Sequence, residues 1–296
     1  MPAMTSEVMG ARGRRAYHRT VDPARRPPPP PTPVTPFGAL LRDWRAARGL
    51  SQLDLALEAG VSTRHLSYVE TGKAQPSREM VTRLAGTLAV PLRDRNALLI
   101  AAGYAPEYPE RDLDAPEMAS VRQAIDYILD HQEPYPAFVL NRRWDVLRTN
   151  AAAMRIGGYL RGGATGHTNM VRQFFDPGDL RPLVVNWHDV AGDLVRHLHD
   201  EIAAAPGDTR PRALLADILA YPDVPSSWHS RALSSAAPPL LTVMFRKDGR
   251  ELHFFSAITR FGTPRDVTLD ELRIECTFPA DEATAEFCRT LAARAS

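Results

Sequence analysis

From Phe37 to Tyr104 the apolar positions recur at helical spacing. Phe37, Leu40, Leu41 and Trp44 form the first stripe, and Arg48-Gly49 ends it. Ser51 can cap a second helix with Asp54 at its third position, and Leu53, Ala56 and Leu57 then continue an apolar face. Gly60 turns the chain. Ser62 can cap a third helix whose inward residues are Leu66 and Val69, and Gly72 and Pro76 punctuate its end. Ser77 caps a fourth helix with Met80, Leu84 and Leu88 inward, and Pro91 starts a fifth that runs through Leu98 and Leu99 to Gly103. Five short helices in about 70 residues make one small all-helical domain.

After a Pro- and acid-rich linker over residues 107–116, a helix is predicted from Glu117 to His131, with Val121, Ile125 and Ile128 on one face. The period then changes. AFVLNRRWDVLRTN reads as two short strands around a turn at Asn141-Arg142. A mostly helical middle follows from Ala151 to Tyr221, broken by the Gly-rich GGYLRGGATGH. LLTVMFRKDGRELHFFSAITRF reads as a hairpin turning at Lys247-Asp248-Gly249-Arg250. LRIECTF alternates, with Leu272, Ile274, Cys276 and Phe278 on one face and Arg273, Glu275 and Thr277 on the other. A last helix runs from about Asp281 to Ala293. The pattern predicts an α+β sheet domain over residues 117–296 with helices on one face.

Charge separates the two halves. Residues 37–106 hold nine Lys or Arg against six acidic residues, whereas residues 107–296 hold 21 against 27. Residues 1–36 add six Arg against Glu7 and Asp22, followed by RRPPPPPTP. That segment reads as a solvated basic tail, with a phosphate-touching arm as its functional alternative. The first third is therefore suited to a polyanion and the remainder repels one. No apolar run approaches the ~20 residues that cross a bilayer, and no apolar core follows the N-terminal arginines as in a secretory signal. Cys276 and Cys288 provide neither a disulfide framework nor a metal cluster. His188, His197 and His199 lie near Asp189, Asp193 and Glu201, but a third ligand at good spacing is not evident, so no metal or cofactor is expected. There is no GxSxG, P-loop or Rossmann fingerprint, so an enzyme is not expected.

SQLDLALEAGVSTRHLSYVETG, within residues 37–90, resembles the helix-turn-helix of the XRE, or lambda-repressor-like, DNA-binding family. Ser-Gln opens the second helix, Ala-Gly-Val-Ser makes the turn, and Glu-Thr-Gly-Lys leaves the third. Thr63, Arg64, Ser67 and Tyr68 face away from the Leu66–Val69 stripe, where a helix in the major groove meets base edges. Gln52 and Ser62 lie at helix N-termini suited to phosphates, and Lys73 is placed for another. The resemblance also implies that Glu70 pairs with Arg45 of the first helix.

The segments AAGYAPEY, PYPAFVLNRRWDVLRTNAAA, VVNWHDV and FFSAITRFGTPRDVTLDELRIECTFPAD resemble the ligand-binding domain of MmyB-like regulators over residues 101–290. The usual Asp before Arg-Arg-Trp is Asn141 here. The resemblance implies a PAS-like fold and a lipid-like small molecule, such as a fatty acid, as ligand. Arg142, Trp144, Met154, Asn186, Trp187 and Phe255 are the expected ligand contacts: large apolar groups to line a cavity, an arginine for a carboxylate and an amide to orient the ligand. Asn150 is expected to cap the helix that follows it. The combined expectation is a cytoplasmic, nucleoid-associated homodimer that binds a double-stranded operator, with no membrane partner. The alternative is that the second domain serves dimerisation or partner recruitment alone.

Overall fold

The computed structural model describes residues 35–229 and 239–294. The basic tail expected over residues 1–36 lies almost wholly outside them. Among the described residues, no helix is long and apolar enough to cross a membrane.

Five helices build the N-terminal domain: α1 (Pro36–Ala47), α2 (Gln52–Glu58), α3 (Thr63–Glu70), α4 (Arg78–Thr87) and α5 (Leu92–Ala101). Each of the first four begins at a hydroxyl that accepts a backbone N–H: Thr35, Ser51, Ser62 and Ser77. Ser51 and Asp54 complete a reciprocal capping box. Phe37, Leu41, Trp44, Leu55, Leu66, Val69, Leu84 and Leu98 form the core. On α2 the buried residues are Leu55 and Ala56, while Leu53 and Leu57 are 55% and 71% exposed. The expected Leu53–Ala56–Leu57 face is therefore rotated. A seven-residue helix buries just the stripe its neighbours reach, and here α3 and α4 reach Leu55 and Ala56.

The second domain has a five-stranded antiparallel sheet in the order β2-β1-β5-β4-β3. Its strands are β1 (Ala137–Leu140), β2 (Val146–Thr149), β3 (Val243–Lys247), β4 (Arg250–Thr259) and β5 (Arg273–Pro279). Asp248 (φ 50°) and Gly249 (φ 72°) give β3–β4 the two left-handed central residues of a type I′ turn. Asn141 forms the β1–β2 turn, its Oδ1 accepting from the backbone N–H of Arg143 (2.8 Å) and Asp145 (3.0 Å). Asn thus serves this turn without the family's usual Asp.

The sheet is covered on both faces, not on one as the pattern predicts. Ile125 and Leu129 of α6 (Ala119–His131) pack on Ala137, Val139, Ile274 and Cys276. The opposite face, carrying Leu140, Phe245, Leu252 and Phe254, is covered by α7 (Ala151–Arg161), α8 (Met170–Phe175), α9 (Trp187–Ala204) and α12 (Glu282–Ala293), with α10 (Arg210–Leu219) packed behind. Asn150 anchors this arrangement. Its Oδ1 accepts from Ala153 N at the start of α7 and from Ala137 N on β1, both at 3.0 Å. Its amide donates to Tyr135 O at 2.8 Å and Leu129 O at 3.3 Å.

The linker residues are held against both domains. Asn96 of α5 accepts from Glu107 N and Tyr108 N and donates to Tyr108 O. Pro109 O accepts from Val267 N of α11 (Val267–Glu271), and Arg111 pairs with Asp266 at 3.0 Å. Arg93 of α5 bridges Glu271 (2.7 Å) and Glu110 (2.5 Å), and the Leu92 N–H donates to Asp270 at 3.0 Å. Ala205, at the end of α9, joins the core of the helical domain.

Candidate DNA-reading helix and ligand cavity

The third helix is held by one buried carboxylate. Glu70 accepts from Arg45 Nε at 2.7 Å and from Arg45 Nη2 at 3.0 Å, and its Oε2 also accepts from the Gln52 amide at 2.7 Å. Glu70 is 1% exposed. Its backbone carbonyl lies where a side chain on Gly38 would intrude: a Cβ there would sit 2.3 Å from Glu70 O. Only glycine lets α1 approach α3 this closely.

With Leu66, Val69 and Glu70 turned inward, Arg64 and Tyr68 are exposed and Thr63 and Ser67 half-buried. Arg64 Nε donates to Tyr68 Oη at 3.1 Å, with its guanidinium 5.4 Å from the ring centre. Lys73 Nζ lies 5.9 Å from the same ring. The exposed side of α3 and the turn after it thus carry a positive cluster around one aromatic ring. Ser62 Oγ accepts from His65 N, so His65 fills the cap's backbone position without the returning carboxylate of a capping box. Gln52 lies at the first residue of α2, but its amide is committed to Glu70, which makes it a brace for α3.

In the second domain a cavity of about 100 Å³ lies between the sheet and helices α7 and α8. Phe138, Ile156, Leu160, Phe174, Phe245 and Phe254 give it an apolar wall; Ser256, Glu275 and Thr277 project from β4 and β5. An open groove of about 600 Å³ adjoins it beneath the Gly-rich loop, and Phe138, Ala153, Arg161 and Gln173 border both. Arg161 is tied to Asp179 (2.7 Å) and Gln173 (2.9 Å) at that junction.

None of the six expected ligand contacts borders the cavity. Met154 lines the groove and is 69% exposed. Arg142 faces the helical domain, between Asp94 (3.3 Å), Asp208 (3.5 Å) and Glu271 (3.8 Å), because three carboxylates converge there. Burial pushes the Asp94 carboxyl above its usual range, against the pull of Arg142. Trp144 has a left-handed backbone (φ 67°) and packs its ring under the Arg273 guanidinium, 4.9 Å away, with His197 edge-on at 5.8 Å. Asn186 pins β3, donating to Thr242 O (2.7 Å) and accepting from Met244 N (3.0 Å). Trp187 is a core residue, its Nε1 donating to Phe174 O at 2.7 Å. Phe255 stacks on Phe278 across the sheet's other face, since pairing with β5 turns Phe254 and Ser256 towards the cavity.

Two of the cavity's polar residues, Glu275 and Thr277, were visible in the sequence on the polar side of LRIECTF. Their enclosure was not, because it depends on helices covering the second sheet face. Among the described residues no three His, Cys, Asp or Glu gather to hold a metal ion. His199 instead lies 3.1 Å from Trp228 O.

A helix-turn-helix domain and a cavity-bearing sheet domain define a class: DNA-binding transcriptional regulators with a ligand-binding-type C-terminal domain. A helix-turn-helix domain model matches residues 36–98. The MmyB-like transcription regulator ligand binding domain model matches residues 121–291, more than half of the sequence, and the chain belongs to that family. The uncharacterised HTH-type transcriptional regulator RghRB of Bacillus subtilis is 36% identical over 85 residues, 28% of this chain and 59% of that protein. Uncharacterised HTH-type transcriptional regulators of Mycobacterium bovis and Mycobacterium tuberculosis are 40% identical over 65 residues, 22% of this chain and 25% of theirs. The match therefore spans less than two thirds of these relatives. Family and relatives are described as transcriptional regulators.

Proposed function

We propose that the chain is a cytoplasmic, nucleoid-associated regulator that binds a double-stranded operator through α3. An amphipathic small molecule, a fatty acid by family resemblance, modulates that binding from the second domain. Thr63, Arg64, Ser67 and Tyr68 read base edges, while Ser62 and Lys73 lie towards the phosphates and Gln52, expected there too, braces α3 through Glu70. The observation that carries this reading is the Arg64–Tyr68–Lys73 cluster, presented by a helix whose other side is locked by Glu70. One helix reads too few base pairs for genomic specificity, so the active form is a homodimer on a pseudo-palindrome. Arg64→Ala lowers operator affinity by ~1–3 kcal/mol and relaxes base preference. A gel shift with selected and scrambled DNA tests this; unchanged affinity and unchanged preference would sink the readout.

The apolar cavity and the adjoining groove support the ligand reading. The PAS-like assignment is supported by the antiparallel sheet with helices over its cavity-bearing face. The cavity alone falls short of the roughly 300–1,000 Å³ that drug-sized ligands occupy. An acyl chain therefore extends from it beneath the Gly-rich loop into the groove. The same small volume favours a second reading, in which the domain serves dimerisation or partner recruitment. Native mass spectrometry of the purified protein separates the two: a bound mass that solvent extraction removes supports the ligand, and ligand-free dimers that bind the operator unchanged by added fatty acid support the second reading. Coupling of ~1–3 kcal/mol between ligand and DNA is expected.

A further inference from the structure

Three polar side chains interrupt the apolar inner face of the sheet along β5. Arg273 is spent on Glu201 and on the ring of Trp144. Thr277 and Glu275 border the cavity. Glu275 stands opposite Phe138 on β1 and Ile258 on β4, and the Ser256 hydroxyl, which also borders the cavity, favours its ionised form. Protein surrounds it, yet it keeps accessible surface because it faces the void.

Among the described residues, none forms an ion pair with Glu275. His197 on α9 and Arg273 on its own strand act on it from beyond ion-pair distance, and Arg273 already answers Glu201. Arg161 of α7 also borders the cavity, but Asp179 and Gln173 hold its guanidinium. The Cys276 thiol belongs to the opposite face. Burial therefore raises the Glu275 carboxyl above the usual glutamate range, outweighing the opposing effects of the Ser256 hydroxyl, His197 and Arg273. A protonated carboxyl in an apolar wall is a hydrogen-bond donor aimed at whatever fills the space.

We propose that Glu275 is the head-group contact of this cavity and takes an acyl ligand by donating its carboxyl hydrogen bond to the ligand's carbonyl oxygen. The proton stays on Glu275, so a fatty acid or an acyl ester satisfies the contact equally. A cationic amine head does not, since it has no acceptor. This inference rests on the ligand-binding reading above and names the chemistry of its polar end.

The test uses the full chain with methyl decanoate, which accepts but does not titrate, and with decylamine. Calorimetry across pH is expected to show ester affinity falling about five- to tenfold as pH rises through the raised pKa of Glu275 and the donor is lost. Glu275→Gln, whose amide donates at every pH, retains the low-pH affinity with a flat profile. Ser256→Ala removes a donor to the ionised form and moves the fall to higher pH. A flat wild-type profile overturns the proposal, as does a Gln variant that keeps the wild-type fall or a Ser256→Ala profile that does not move. Decylamine binding more tightly than the ester at low pH, where the Glu275 carboxyl is protonated, overturns it too. Wild-type protein that binds neither probe at any pH overturns the cavity reading itself, a separate result.

Discussion

Glu70→Ala is expected to cost the folded protein about 3–5 kcal/mol, the usual consequence of breaking a buried ion pair by removing one partner. Glu70 accepts three side-chain hydrogen bonds, two of them from the forked guanidinium of Arg45. Without it, Arg45 keeps its bond to the Leu50 carbonyl (2.9 Å) but its other two donors and the Gln52 amide lose their acceptor, and these half-buried donors must find water or move. The loss falls on function as well as stability, because this carboxylate fixes α3 against α1 and α2. Urea denaturation followed by circular dichroism measures the change. The paired variant Arg45→Met/Glu70→Leu separates charge from packing: it restores much of the stability, since an apolar pair of similar size leaves no orphaned charge. A Glu70→Ala loss below about 1 kcal/mol would mean that the pair behaves like an exposed one and does not hold the helix.

Trp187→Ala is expected to destabilise the second domain by about 3–5 kcal/mol, the range for removing a large core aromatic. The indole lies 5.7 Å from both Phe175 and Trp228, with the Arg181 guanidinium 4.1 Å over its ring. Its Nε1–H satisfies the Phe174 carbonyl, so truncation creates a void and leaves a carbonyl unmet. Because Trp187 does not border the cavity, its loss acts on ligand binding indirectly, through stability and through its hold on Phe174 of the cavity wall. The thermal midpoint and ligand affinity, measured together on the folded variant, check this. An unchanged midpoint with abolished ligand affinity would make Trp187 a contact and reverse its placement in the core.

These two residues mark how far local pattern reaches. The Glu70–Arg45 pairing was implied by resemblance to a motif of nearly constant spacing, and the structure contains it. Trp187 was read as a pocket residue because a bulky apolar group beside an amide suits a ligand. A core needs the same residue types, so composition does not distinguish the two. Phe254 and Phe255 show the same ambiguity: either can face inward until pairing with β5 sets the register. Arg142 had the chemistry for a ligand carboxylate, yet Asp94, Asp208 and Glu271 claim it from distant parts of the chain.

By itself the sequence determined the helical domain, its caps at Ser51, Ser62 and Ser77, the outward side of α3, the Asn150 cap, the Asp248-Gly249 turn and the alternation along β5. These depend on contacts within a few residues, where hydrogen-bond geometry and side-chain period leave few alternatives. The tertiary structure alone decided that both sheet faces are covered, that Leu53 and Leu57 are left outside, that the linker is bound to both domains, and that Glu275 faces a void. Each depends on which distant surfaces meet, and a polar residue reads the same in sequence whether it faces water or a cavity that helices from elsewhere in the chain have closed.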